Sequence, residues 1–304
     1  MSEKSQRPDT VLRSTPETVI WGWIAADRAP VLRVTSGAIV RVDTVTHSGM
    51  NTNDDPVTYF GRAGISAEQV LPDAIEIYQQ MERDGNAGPH LLTGPIYVDG
   101  AQPGDMLEVR VLDVAIRVPY GVNATGRGRG AVADLLNEPA EKLITLDLQH
   151  NVALFSAGIE VPLAPFMGIV AVAPPPAAKR VSTKPPGPFG GNLDFRHLTA
   201  GATLYLPVFN DGALFYTGDG HACQGDGEVD GTAIEISLTP TVQLIVHPGA
   251  GKSMNWPRAE DVEHYYSMGM GLDVDAALQQ AIRETVDFLR GRACLLYTSD
   301  AADE

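Results

Sequence analysis

The chain alternates short apolar runs with clusters of glycine, proline, aspartate and asparagine, and that rhythm predicts many short strands. Val31–Val34, Ile39–Val45, Met106–Val114, Ala202–Val208 and Ala233–Val246 are rich in Val, Ile, Leu and Thr and bounded by turn residues. Two segments carry a helical period instead. Within Ser66–Arg83, Ser66 and Gln69 make a capping-box pattern, and Ala74, Ile75, Ile77, Tyr78 and Met81 share one face. From about Asp273 to Arg290, Asp273 can act as N-cap, and Ala277, Leu278, Ala281, Ile282, Val286 and Leu289 form a stripe expected to pack on the core. Few other segments are helical, and 31 glycines and 22 prolines imply many turns. The pattern therefore predicts a β-rich α+β fold, with a sandwich or jelly-roll-like β core and a few peripheral helices.

The same pattern divides the chain. Residues 1–17 are polar and aperiodic and read as a flexible lead-in. The proline-rich stretch Ala173–Pro188 reads as a semi-rigid connector between β-rich halves, 18–175 and 176–293. The second half carries the main site motifs. Gly121–Gly130 reads as a mobile surface loop, because no Gly-Lys-Ser/Thr follows to make a phosphate cradle. The last eleven residues, Cys294–Glu304, match the translation of a sequencing-library adapter. They are expected to be foreign to the fold, with the natural C-terminus missing. No run approaches 18 apolar residues and the N-terminus lacks an apolar h-region, so no membrane partner and a cytoplasmic location are expected.

Charge narrows the partners further. A net charge of −16 argues against nucleic acid, since a polyanion would be repelled and no Lys/Arg stripe is present. Two cysteines make no disulfide framework.

Candidate chemistry concentrates between Gly190 and Glu235, and most densely in Gly218–Glu228. Asn192, Asp194, Asp219, His221, Gln224, Asp226, Glu228 and Glu235 lie there among glycines 190, 191, 218, 220, 225 and 227. Those glycines permit positive φ and sharp turns that aim neighbouring side chains at one place. Asp219 and His221 are two apart, as are Asp226 and Glu228, so each pair shares one face of an extended strand. Imidazole with carboxylates suits a hydrolytic metal centre. The spacing leaves a solvated acidic turn or a structural calcium loop equally open. His47 closes a strand-like run and His90 precedes another, so either could reach a site at a strand mouth. Taken alone, each reads more naturally as a structural histidine. His150, His197, His247 and His264 have no supporting neighbours. Cys223 could be a thiol nucleophile with His221 as base, but surrounding acids would raise its pKa. Ser182-Thr183-Lys184 lacks the setting of a Ser/Lys amidase.

Longer motifs then enter in a fixed order. They are Thr93–Ala101 (TGPIYVDGA) with Pro103-Gly104-Asp105, Pro165-Phe166-Met167-Gly168, and Pro185–Gly187 into Gly190–Asp194. Tyr205–Val208, Gly212–Leu214 and Gly218–Glu228 with Glu235 complete the series. In these the chain resembles the acetamidase/formamidase family over nearly all of its length before residue 294. It departs mildly at Leu91, where the family usually places proline, and the family continues past residue 293. The resemblance implies a β-rich α+β fold, a homo-oligomer, and hydrolysis of a small amide substrate, formamide or acetamide, by a metal-activated water. It implies a divalent metal, expected to be zinc with calcium as the other option. Asp219, His221 and Glu228 are then the expected ligands, with Asp194 or His47 completing the shell. Glu235 or Asp226 would move protons, and Asn192 and Gln224 would donate hydrogen bonds to the oxyanion. Two other readings stay open: a calcium-holding carbohydrate-binding β-sandwich, and a jelly-roll metal-dependent oxygenase.

Overall fold

The computed structural model describes residues 8–293 except 127, 133, 136 and 137. The expectation for Cys294–Glu304 lies outside the described residues. Most of the described chain forms two large sheets. The first is ordered Thr10–Leu12, Ile39–Val42, Leu238–His247, Met106–Ile116, Thr203–Pro207, Arg258–Glu260 and Tyr265–Ser267. At the heart of the second, Phe215–His221 pairs with Phe166–Val172, Leu91–Asp99 and Glu235–Ile236. Glu235–Ile236 leads outward through Tyr120–Thr125 to Ala140–Asp147. Val109, Val111, Leu204 and Val242 of the first sheet face Met167, Val170 and Phe215 of the second across a void of only about 10 Å3. This close-packed interface is the core, as expected for stacked sheets. The predicted strand-rich α+β sandwich is thus the observed fold.

The strand predictions map onto Leu32–Thr35, Ile39–Val42, Met106–Ile116 and Thr203–Pro207. Ala233–Val246 divides into Glu235–Ile236 and Leu238–His247, and the chain changes sheets between them. The lead-in is tied down earlier than expected, because Thr10–Leu12 pairs with Ile39–Val42 in parallel. Gly121–Gly130 is not a loop throughout. Its first residues belong to the Tyr120–Thr125 strand, where a Cβ on Gly121 would lie 2.6 Å from Ile234. Glycine is used there for close strand approach. Strands from both sides of Ala173–Pro188 share both large sheets, and the stretch itself supplies Arg180–Ser182, which pairs with Trp23–Ala25.

Both predicted helices form. Ser66 and Gln69 make the capping box, but that turn is a short 3₁₀ helix, and Pro72 starts a separate α-helix, Pro72–Gln80. Proline lacks the N–H a continuous helix needs, and it holds Leu71 extended. Val274–Ala293 begins at Asp273, whose carboxylate accepts from Ala276 N at 2.8 Å. Its apolar stripe is a correction: Leu278 and Ile282 are exposed. The helix instead approaches the chain through Ala277 and Ala281, where Gly269 leaves no room for a Cβ.

Candidate metal centre

Four chain segments meet at one end of the central strand. Phe215–His221 is buried throughout, and its last residues bring Asp219 and His221 to the end of the strand. Its register places His221 opposite Glu235 on one neighbour and opposite Phe166 on the other. The glycines of this run work differently from expectation. Gly190, Gly191 and Gly227 do take positive φ, but Gly218 and Gly220 do not. A Cβ on Gly218 would lie 2.2 Å from Leu91 O, and one on Gly220 2.5 Å from Ile236 O, so both serve close strand packing. The positive φ falls on the acids themselves: Asp219 at 59°, Asp194 at 44° and Glu228 at 42°. Non-glycine residues hold that conformation at a cost of about 1–3 kcal/mol each, which surrounding structure must enforce.

The enforcing contacts can be named. Gly168 O accepts from Leu193 N at 2.9 Å and Asp194 N at 3.2 Å, and Gln224 Nε2 donates to Asp194 O at 2.6 Å. Glu235 Oε1 accepts from Ala233 N at 3.0 Å. Met50 N and Asn51 Nδ2 both donate to His47 O. His90 Nδ1 lies 3.0 Å from the Thr183 hydroxyl, which orients its ring so that Nε2 faces Asp219 at 3.8 Å. A polar partner on the second nitrogen is the usual way to fix a ligand histidine.

Seven side chains converge as a result: His47, His90, Asp194, Asp219, His221, Glu228 and Glu235. His47 Nδ1 lies 3.4 Å from Asp219 Oδ1 and 3.7 Å from Glu235 Oε2. His221 Nε2 lies 3.4 Å from Asp219 Oδ2, 3.5 Å from Glu235 Oε2 and 3.9 Å from Glu228 Oε1. These separations are too long for good hydrogen bonds, yet His47 Nδ1, Asp194 Oδ1, Asp219 Oδ1, His221 Nδ1, Glu228 Oε1 and Glu235 Oε2 are buried with no partner among the described residues. Gly168 forms the floor. A Cβ there would lie 2.7 Å from Asp194 Oδ1, from Asp219 Oδ2 and from His221 Cε1. Orphaned carboxylate oxygens and imidazole nitrogens around a side-chain-free floor fit a divalent cation.

Electrostatics agrees with crowded negative charge. Burial pushes the Asp194 carboxyl up to about 8, with Asp219 adding to it. Burial also pushes Glu228 up to about 7 against the pull of His221. Burial works to raise Asp219, but the facing His90 and His221 outweigh it and hold this carboxyl well below its ordinary range. For His221 and His47 burial opposes the charged ring, yet Glu235 and Asp219 raise both pKa values. At His90 burial prevails and the pKa falls.

The structure brings together six of the nine residues singled out from sequence: His47, Asp194, Asp219, His221, Glu228 and Glu235. Asn192 and Gln224 stand beside them, each with an orphaned amide oxygen, while their nitrogens donate to Lys184 O and Asp194 O. Asp226 does not join the cluster. Its side chain is 85% exposed and pairs with Arg196. His90 is the member that sequence reasoning set aside. Its signal was position, at the mouth of the Leu91–Asp99 strand that pairs with the central one. Burial pushes the Cys223 thiol up, away from the thiolate a nucleophile needs. The other four histidines lie elsewhere: His150, His247 and His264 pair with Asp147, Glu108 and Asp261, and His197 stacks on Tyr266.

Comparison with known proteins places the chain in a lineage. Residues 80–179 and 175–294 match the model of the Acetamidase/Formamidase family. An acetamidase of Mycolicibacterium smegmatis is 26% identical over 208 residues, covering 49% of this chain and 51% of its own length. A formamidase of Methylophilus methylotrophus is 29% identical over 197 residues, covering 46% and 47%. The chain thus spans about half the length of these relatives. Among solved structures, an acetamidase from Bacillus halodurans superposes with a TM-score of 0.74 at 30% identity, over 92% of this chain and 85% of that one. An acetamidase from Yersinia enterocolitica gives 0.73 at 27% identity, over 93% and 81%. The chain belongs to the acetamidase/formamidase family.

Proposed function

We propose that this chain hydrolyses short linear amides, formamide and acetamide, to ammonia and a carboxylate at the Asp219-centred cluster. The observation that carries the reading is the set of six buried, partnerless donor atoms on converging imidazoles and carboxylates. His47, His90, His221, Asp219, Asp194 and Glu228 would hold a divalent cation. Three imidazoles in the set favour zinc over calcium, which prefers oxygen ligands. When bound, such a cation supplies Lewis acidity that polarises an amide carbonyl and acidifies a water molecule.

The chain's own residues do the rest. Glu235 keeps Oε1 fixed on Ala233 N and leaves Oε2 free, so it can accept a proton from water and return it to the departing amine. Asn192 and Gln224 border the site and can orient the amide. A small cavity beside Glu235 is lined by Met50, Phe60, Val70, Ala74 and Tyr120. The cluster of imidazole and carboxylate donors and the family together favour this reading over a binding module or an oxygenase. The test is ammonia release from formamide and acetamide by the cation-loaded protein. Glu235→Gln is expected to lower the rate by roughly 10²–10⁴-fold while retaining the cation. No ammonia from any short amide would sink the proposal.

A further inference from the structure

A second cavity lies on the outer face of the first sheet. Side chains alternate along these strands, so Val109 and Leu204 enter the core while Glu108 and Tyr205 point the other way. Register carries this outward row across the sheet. Tyr205 stands opposite Glu108 on one neighbour and Arg258 on the other, and Arg258 stands opposite Ser267. Phe288 and Arg292, four residues apart on one face of the last helix, close over the row. The enclosed space is about 290 Å3, near the lower limit of small-molecule pockets. None of its lining residues belongs to the Asp219 cluster.

The walls are aromatic, built from Tyr205, Tyr265, Tyr266 and Phe288. Two of the charged groups in the cavity are already satisfied. Glu108 is held by Arg110 and His247, and Arg292 donates to the Tyr265 hydroxyl at 2.7 Å. Two others are not. Arg258 is half-buried, with its guanidinium 5.2 Å from the Phe288 ring centroid, and it makes no hydrogen bond or ion pair among the described residues. Burial lowers its pKa, and Glu284 pulls it back from beyond ion-pair reach. Glu260 accepts one hydrogen bond, from the Tyr205 hydroxyl at 2.9 Å, and pairs with no cation among the described residues. Arg258 and Glu260 are two apart on one strand, so they share a face about 6.5 Å apart along it and do not close on each other. An open cation and an open anion side by side, walled by aromatic rings, match a ligand that carries both charges at one end and an apolar body at the other. The guanidinium suits a carboxylate, the Glu260 carboxylate suits an ammonium, and the rings suit an aromatic side chain.

We propose that this cavity binds a free α-amino acid with an aromatic side chain, its carboxylate on Arg258 and its ammonium on Glu260. Equilibrium dialysis of the full chain against L-phenylalanine is expected to show one site per chain. 3-Phenylpropionate lacks the ammonium and phenethylamine lacks the carboxylate, and each is expected to bind roughly tenfold or more weakly. Arg258→Met and Glu260→Gln should each weaken phenylalanine by a similar factor, with circular dichroism and zinc content unchanged. Absence of binding up to about 10 mM phenylalanine overturns the proposal. So does an analogue that binds as tightly as phenylalanine, or a folded variant that binds phenylalanine undiminished. If Arg258→Met fails to fold, Glu260→Gln decides alone. Weakened binding of phenylalanine but not of 3-phenylpropionate supports the site, and equal loss of both overturns the assignment of the ammonium.

Discussion

Two kinds of buried acid lie within this fold, and they are built in opposite ways. Asp105 is 7% exposed, and each of its oxygens accepts a backbone hydrogen bond, from Gln102 N at 2.8 Å and Gly249 N at 2.7 Å. Asp43 is satisfied likewise by Arg13 and Thr239. Asp219 and Glu235 are as deeply buried, yet each keeps an oxygen without a partner. A satisfied acid stabilises the fold, whereas an orphaned one among imidazoles waits for something the chain does not contain. Burial is common to both; hydrogen-bond satisfaction separates structure from chemistry.

The sharpest way to break this comparison is to remove one acid of each kind. Asp219→Asn should lower amide hydrolysis by roughly 10³-fold, equivalent to about 4 kcal/mol, with a smaller loss of stability than of transition-state stabilisation. Asp105→Ala should do the reverse: about 2–4 kcal/mol of stability lost for two stranded donors, with the rate per folded molecule unchanged. Denaturant melts paired with ammonia assays on both variants check the contrast, and equal effects in the two would erase it.

The floor of the site offers a second probe. In Gly168→Ala the new methyl would point at Asp194, Asp219 and His221. Retained zinc content and activity would show that this space is not where the ligands act; the expected result is a roughly 100-fold lower rate and reduced zinc affinity. Thr183→Val, which removes the partner of His90 Nδ1, should weaken zinc binding by about tenfold with little change in overall fold. Competition with a chelating dye measures it.

The smallest effect concerns pH in the chelated protein. Asp194 and Glu228 have pKa values raised to about 8 and about 7, above their unfolded values near 4. Their folded forms therefore bind more protons than the unfolded chain across that window, and stability falls as pH rises through 7 and 8. His221, also raised, acts in the same sense. Asp219 is held low, so its contribution is present above about 4 and lost on acidification below that. The melting temperature of the cation-free chain should peak near pH 4 and fall by several degrees as pH rises to about 8.5. Zinc should remove the drop. A flat or rising profile without zinc would mean that these carboxylates do not carry the crowded charge assigned to them.

Much of the fold was legible because apolar alternation survives in the first sheet, where Met106–Ile116 and Leu238–His247 read as strands on pattern alone. The central strand of the second sheet was not legible. In Phe215–His221, glycines replace the side chains that would have shown a period of two, because neighbouring strands come too close for a Cβ. The acids were visible as a group, since glycine and carboxylate crowd one run. Their division into functional and structural was not. Asp226 and Glu228 lie two residues apart, yet one meets solvent and Arg196 while the other turns inward through a left-handed backbone. His90 needed the pairing of Leu91–Asp99 with the central strand before its neighbours could be known. The apolar stripe of the last helix was read correctly as periodic and wrongly as buried, because periodicity reports a face and not what covers it.

The central claim, that the orphaned acids and imidazoles around Asp219 form a cation-dependent amide-hydrolysing centre, is tested most directly by one cycle. Ammonia release from formamide and acetamide is followed in the full chain as prepared, after removal of divalent cations by chelator, and after zinc is restored. The account predicts loss of activity on chelation and its recovery with zinc. Hydrolysis that continues unchanged in the cation-free protein would contradict it.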